Sequence, residues 1–255
     1  LKIVYPICCG IDVHKTFVVA CIAITDNKGI TTYKRHRFST FTQGLRELLQ
    51  WLELFSCFDV CMESTGKYWI PVYNILEPSV NITLAHPKYV KAIRGKKTDT
   101  KDAQWIAELF KHDLVAGSFM PPLAIRELRD LMRYRFKLTN FASSEKNRFQ
   151  NSLTVSNIQI ASVVSDTFGK SALKIIERIL EDPEQSMLTA EELESLIHGR
   201  LIKKLPELEL AVDGFITPEQ KIKLKIIKEH FDALTLCTKH LEETILELAQ
   251  PYQNE

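Results

Sequence analysis

Two apolar, β-branched runs open the chain, Ile7 to Val13 and Thr16 to Thr25, with only His14 and Lys15 between them. Runs of this kind are strands, and so short a gap forces an antiparallel hairpin, although His-Lys is not the favoured Asn-Gly turn chemistry. Asp26-Asn27-Lys28-Gly29 is a clear turn, and Thr31 to Ser39 then alternates as a half-exposed edge strand does. Thr40 or Thr42 stands where it can cap a helix with Leu45, Leu48, Leu49, Leu52 and Phe55 on its apolar face. A short buried strand, Asp59 to Met62, follows, then a helix through Tyr68 to Leu76 and a strand at Asn81 to Ala85.

A three-strand meander followed by right-handed parallel crossovers gives one mixed sheet with helices on both faces. The expected class is α/β of the ribonuclease H-like kind, with other α/β sheets left open by pattern alone. After Pro87 the chain reads as helical. Asp99 to Lys111 is one helix, and Pro121-Pro122 starts another that runs to about Leu153. Ile160 to Glu181, Ala190 to Ile197 and Pro218 to Ala249 follow. The last carries Leu224, Ile227, Phe231, Leu234, Leu241, Ile245 and Leu248 at coiled-coil spacing, interrupted only by Thr238. That seam serves either a hairpin within the chain or a dimer. Residues 1–120 are expected to form the mixed-sheet domain and residues 121–255 an all-α, coiled-coil extension.

The apolar and charged fractions, 45% and 25%, are those of an ordinary globular protein. The six cysteines show no Cys-x-x-Cys pair and no zinc-ligand cluster, and most sit in apolar runs, so buried free thiols in a reducing compartment are expected. No run approaches the ~20 apolar residues of a membrane span, and no signal-peptide pattern is present. A cytoplasmic, nucleoid-associated protein without a membrane partner is the expectation. The first residue is Leu, which raises the expectation of a shortened chain.

Asp12 stands between Ile and Val in an apolar strand, where a carboxylate is costly unless paired or bound to a metal. Glu63 directly follows Asp-Val-Cys-Met, at the carboxyl end of a parallel strand, where open α/β sheets place their sites. Asp99 and Asp102 share one face of a helical turn, where capping and the helix dipole also favour acids. Each alone reads equally well as a surface or capping residue. Converging on one rim, they would repel unless a hard divalent cation such as Mg²⁺ or Mn²⁺ neutralised them. Two such ions ~3.5–4 Å apart can activate a nucleophile and stabilise the leaving oxygen of a phosphodiester.

The surroundings suit a polyanion. Lys88, Lys91, Arg94, Lys96, Lys97 and Lys101 crowd around Asp99, and Lys15 lies close to Asp12 in sequence. The next helix carries Arg126, Arg129, Arg133, Arg135, Lys137, Lys146 and Arg148 against Glu127, Asp130 and Glu145. Basic side chains of this kind neutralise phosphates, and the alternative is a solvated helix face. The net charge of +1 is uninformative by itself, since Glu177 to Glu194 is acidic. His14 is either a phosphate contact or part of a turn. Ser64 and Thr65 lack a nucleophile elbow, and no phosphate-binding loop of the Walker type occurs.

Gly10-Ile-Asp-Val-His-Lys15, Met62-Glu-Ser-Thr-Gly66 with Tyr68-Trp69 and Pro71, Arg94 to Ala103, Pro121-Pro122 with Ile125 to Asp130, and Ser162 to Asp166 occur in order. As an ordered set they resemble the DEDD-type transposases of bacterial and archaeal insertion sequences, described as bridge-RNA-guided recombinases. The resemblance implies a RuvC-like domain in which Asp12, Glu63, Asp99 and Asp102 hold Mg²⁺ and catalyse DNA cleavage and strand exchange. It implies a helical linker with a coiled coil that forms dimers or tetramers, and a guide RNA that pairs with donor and target DNA. It also assigns the nucleophile to a serine of a separate C-terminal domain. This sequence ends at Glu255, just after the coiled-coil helix, so no nucleophilic serine is expected within it. Three other readings compete. They are a non-catalytic RNA- or DNA-binding and dimerisation remnant, a stand-alone RuvC-type endonuclease, and an actin-like ATPase, the last disfavoured by the missing glycine-rich loops.

Overall fold

The computed structural model describes residues 1–64, 66–86, 99–181 and 188–252, with backbone alone at 99–101. It divides into two compact units, Leu1–Pro121 and Pro122–Glu255.

The first unit is built on a five-stranded sheet in the order β3-β2-β1-β4-β5. β1 (Ile7–Val13) and β2 (Phe17–Thr25) form the hairpin, closed by a hydrogen bond of 2.9 Å from the His14 N–H to the Phe17 carbonyl. β3 (Thr31–Ser39) pairs antiparallel with β2 and forms an edge of the sheet. β4 (Asp59–Glu63) lies parallel to β1, and β5 (Asn81–Ala85) parallel to β4. A meander continued by parallel crossovers is the mixed sheet that the apolar pattern predicts.

Alternation along the strands divides the side chains between two faces. Cys9, Ile11 and Val13 of β1 join Val18, Ala20 and Ile22 of β2 on the face covered by α1 (Thr42–Leu54) and α2 (Trp69–Leu76). Cys8, Cys61 and Ala23 pack with Ile106, Ala107 and Phe110 of α3 (Asp99–Lys111) on the other. The helices α1, α2 and α3 therefore bury apolar stripes against one sheet. The cap of α1 differs from expectation: Phe41 is the N-cap residue, and no side chain caps the helix. The Thr40 hydroxyl donates instead to the Lys15 carbonyl at 2.9 Å, tying the start of α1 to the β1–β2 turn.

The second unit is helical. α4 (Leu123–Val155) and α8 (Pro218–Ala249) are its long members. Between them lie α5 (Lys170–Glu181), α6 (Ala190–Leu196) and α7 (Leu205–Ala211). The continuous helix expected from Ile160 to Glu181 is broken. A 3-10 turn at Ile160–Ser162 is followed by a loop, where the Asp166 carboxylate accepts the Phe168 N–H at 3.0 Å and its carbonyl accepts the Gly169 N–H at 3.1 Å. An aspartate that bonds its own downstream backbone competes with the helix ladder and wins. α7 and the 3-10 turn before it, Gly199–Lys204, were not anticipated.

The seam of α8 is used inside the chain. Leu224, Ile227 and Leu234 are buried, and Phe231 packs at a tilt against Phe168, which in turn meets the fully buried Phe149 of α4. The Arg135 Nε donates to Glu242 of α8 at 2.6 Å. Glu145 of α4 is buried between Arg148 and the His230 Nδ1, which donates to it at 3.1 Å. No helix among the described residues is long and apolar enough to cross a membrane. All six cysteines are free thiols, and only Cys237 is exposed. Burial pushes the Cys8, Cys57 and Cys61 thiols up to about 12, so they stay protonated and packed.

Candidate active site

The site is set by strand register. Cys9 pairs with Val60, Gly10 with Cys61 and Ile11 with Met62 across the parallel β1–β4 ladder. The ladder ends there, and Asp12 and Glu63 are the next residue along each of the two adjacent strands. Both belong to the face of Gly10 and Cys61, because side chains alternate, and that face carries α3. Glu63 is the last residue of β4, and the next N–H, that of Ser64, is held by the Ala85 carbonyl at 2.9 Å. The turn beyond it passes through Gly66 at φ +61, a conformation glycine adopts without a Cβ penalty, and the Gly66 carbonyl accepts the Trp69 Nε1–H at 3.1 Å.

α3 runs antiparallel to β1. Its last carbonyl, that of Lys111, accepts the Val4 and Tyr5 N–H groups at 2.9 and 3.2 Å, and the Cys8 thiol donates to the Ala107 carbonyl at 3.6 Å. Further along, a Cβ added at Gly10 would stand 2.3 Å from the Ala103 carbonyl oxygen and 2.4 Å from the Ala107 nitrogen. Glycine in the strand and alanines on the helix let the two backbones touch. One turn before Ala103, the helix begins at Asp99, at the level of the strand end that carries Asp12. The first turn of α3, Asp99 to Asp102, therefore lies toward the strand end that carries Asp12.

Asp12 is largely shielded, with its side chain 15% exposed, and the His14 Nε2–H donates to its Oδ2 at 3.0 Å. The His14 ring rests on Phe17 with centroids 4.4 Å apart, which fixes the imidazole from below. His14, read from sequence as either turn or contact residue, thus orients the carboxylate.

α3 is fastened at its far end by a polar group. The buried Lys111 ammonium donates to the Glu108 carboxylate at 2.8 Å and to the Thr31 hydroxyl of β3 at 3.1 Å. The Tyr33 hydroxyl donates to Glu108 as well. Burial, then Glu108 itself, pushes the Tyr33 phenol up to about 12. For Glu108, burial is outweighed by its bonds to Lys111 and Tyr33, and its carboxyl falls below the ordinary value. The Arg35 guanidinium adds a hydrogen bond to Gln104.

The remaining residues singled out in the sequence are distributed as follows. Lys15, Arg129 and Arg133 are exposed, Arg126 is half-buried, and Arg135 and Arg148 are the ion-paired residues described above. Lys88, Lys91, Arg94, Lys96 and Lys97, with the side chains of Asp99 and Lys101, lie outside the described residues. Among the described residues no three His, Cys, Asp or Glu side chains group together as a metal site. The sequence reading passed over Arg37 and Phe17. Arg37 signals itself only through register, opposite Val19, which is itself opposite Asp12.

A protein-family model described as a transposase of the IS110 DEDD type matches residues 9–158, which is more than half of the chain and includes both strand acids and α3. The chain belongs to the IS110-type DEDD transposases. No curated protein matches the transposase. Among solved structures, Thermus thermophilus RuvC is 13% identical with a TM-score of 0.34, over 44% of this chain and 99% of that one. A fowlpox virus resolvase crystallised with Holliday junction DNA is 13% identical with a TM-score of 0.27, over 42% and 75%. Family membership makes this a protein of DNA transposition and recombination, and the strand order already described carries its fold.

Proposed function

We propose that Asp12, Glu63, Asp99 and Asp102 form the carboxylate platform of a divalent-metal-dependent DNA transposase, and that Mg²⁺ or Mn²⁺ is the ion they hold. The observation that supports this reading is the parallel β1–β4 ladder, beyond whose last pair, Ile11 and Met62, the next residue of each strand is Asp12 and Glu63. The donor chemistry fits. All four candidates offer carboxylate oxygens, the ligands that hard divalent cations prefer. A cation there supplies Lewis-acid stabilisation of charge at the reacting phosphodiester. The protein residues supply position: His14 fixes the Asp12 carboxylate, and the Ser64–Ala85 bond fixes the exit of β4.

In this reading the platform is one half of a composite active site, and a serine of the family's C-terminal domain is the nucleophile. DNA and a guide RNA are the partners, in a prokaryotic cytoplasm. Arg129, Arg133 and Lys137, all exposed at four-residue spacing on α4, support binding to phosphate backbones. Met132, Phe136 and Phe141 of α4, with Leu236 and Leu246 of α8, stay exposed after the hairpin has formed and support a homodimer or tetramer through this region.

The test is thermal melting with and without Mg²⁺ or Mn²⁺. The metal is expected to raise Tm of the wild type and not of a chain carrying Asp12→Ala and Asp102→Ala. Equal responses of the two proteins, or no response in either, would remove the metal platform.

A further inference from the structure

Resting on that reading, the geometry points to Arg37 as the residue that positions a DNA phosphate next to the acid pair. Register places Arg37 opposite Val19, and Val19 opposite Asp12, so one row crosses β3, β2 and β1 on the face that carries α3. Two strand spacings separate the arginine from the carboxylate, ~10 Å. The row ends at the sheet edge, where Arg37 is exposed.

The guanidinium carbon lies 3.6 Å above the centre of the Phe17 ring. That ring also carries His14, which holds Asp12. Guanidinium, phenyl, imidazole and carboxylate therefore form one continuous chain of contacts, from the edge of the sheet to the acid. Stacking takes up the flat face of the guanidinium and leaves its in-plane N–H groups pointing outward, the geometry that suits bidentate contact with a phosphate. Arg35 lies on the same face but donates to Gln104 of α3. Among the described residues no carboxylate pairs with Arg37.

A DNA strand approaching two carboxylates is repelled, and a fixed cation at the end of the same row offsets that repulsion. Arg37 is a positioning residue in this role, because it holds the strand and takes no part in bond making. The surrounding structure supports it twice, through the aromatic ring beneath and through the strand that fixes its place.

The experiment is fluorescence anisotropy of a labelled DNA duplex bound to the full chain, titrated over a range of salt. Wild type, Arg37→Ala, Arg37→Lys and Lys34→Ala are compared, with Lys34 lying on the same strand but facing away from α3. Arg37→Ala is expected to weaken binding roughly ten-fold at low salt. Its log–log salt dependence should be shallower by about 0.9, the value of one lost phosphate contact. Arg37→Lys should keep most of the slope while losing affinity, and Lys34→Ala should match wild type. A merely structural role for Arg37 would change melting but not the slope. An unchanged slope in Arg37→Ala overturns the assignment, as does a slope change seen with duplex RNA and not with DNA. Melting of the same proteins with Mg²⁺ separates the two ideas: a retained metal response with an unchanged slope removes Arg37 and leaves the platform.

Discussion

Gly10 shows how a single residue sets the site. The sequence presents it as one letter in a strand, where glycine ordinarily weakens pairing. In the structure it is the point where β1 and α3 touch, with the Ala103 carbonyl 2.3 Å from where a Cβ would stand. The neighbour is helix backbone, so relief requires the helix to move. Gly10→Ala is therefore expected to cost about 1–3 kcal/mol, read as a lower midpoint in urea denaturation. It should also blunt the Mg²⁺ response, because the helix that shifts is the one that begins at Asp99. A midpoint equal to wild type would show that α3 does not approach the strand this closely. Asp12 was legible without the structure because an aspartate in an apolar strand is anomalous by itself. Gly10 was not, because the atoms that require it lie some ninety residues further along the chain.

Among elements, α3 is held to the sheet by chemistry that titrates. Tyr33 has an ordinary value of 10.0 and is pushed up to about 12 by burial and by Glu108. The folded protein therefore keeps a proton that the unfolded chain releases. The stabilisation is complete below pH 10.0 and is lost as the pH rises toward about 12. Glu108 works in the opposite sense: its lowered value stabilises the fold above the ordinary 4.5, and that contribution fades as the pH falls. Tyr33→Phe is expected to flatten the alkaline decline of Tm across the window from 10.0 to about 12 relative to wild type. Parallel declines in the two proteins would mean that the Tyr33–Glu108 bond does not form in solution. α3, β3 and the seam of α8 all follow from periodicity. The break inside Ile160 to Glu181 does not, since apolar spacing continues through it while the Asp166 carboxylate takes the backbone donor.

For the whole molecule, the two compact units meet in sequence at Pro121-Pro122. The sheet core and its satellites draw on residues up to Met120, and the helical core begins at Phe149. A chain ending at Pro121 is accordingly expected to melt cooperatively and to keep the metal response, measured by calorimetry with and without Mg²⁺. A broad, non-cooperative transition in that shortened chain would show that the sheet unit depends on the helices that follow it. The four acids and α3 fall wholly within the first unit.

The sequence alone determined the strands, their meander, the long helices and the four acids as candidates, because each is a local pattern of two- or four-residue period or a charge where none belongs. The family resemblance followed from the order of short motifs. Tertiary structure decided how these parts meet. Parallel pairing of β1 with β4 made Asp12 and Glu63 the next residues past the last paired position, close packing at Gly10 set α3 against β1, and the β2–β3 register brought Arg37 opposite Val19. Those relations join segments far apart in the chain. They depend on which backbone fits against which, and periodicity along one segment carries no record of that.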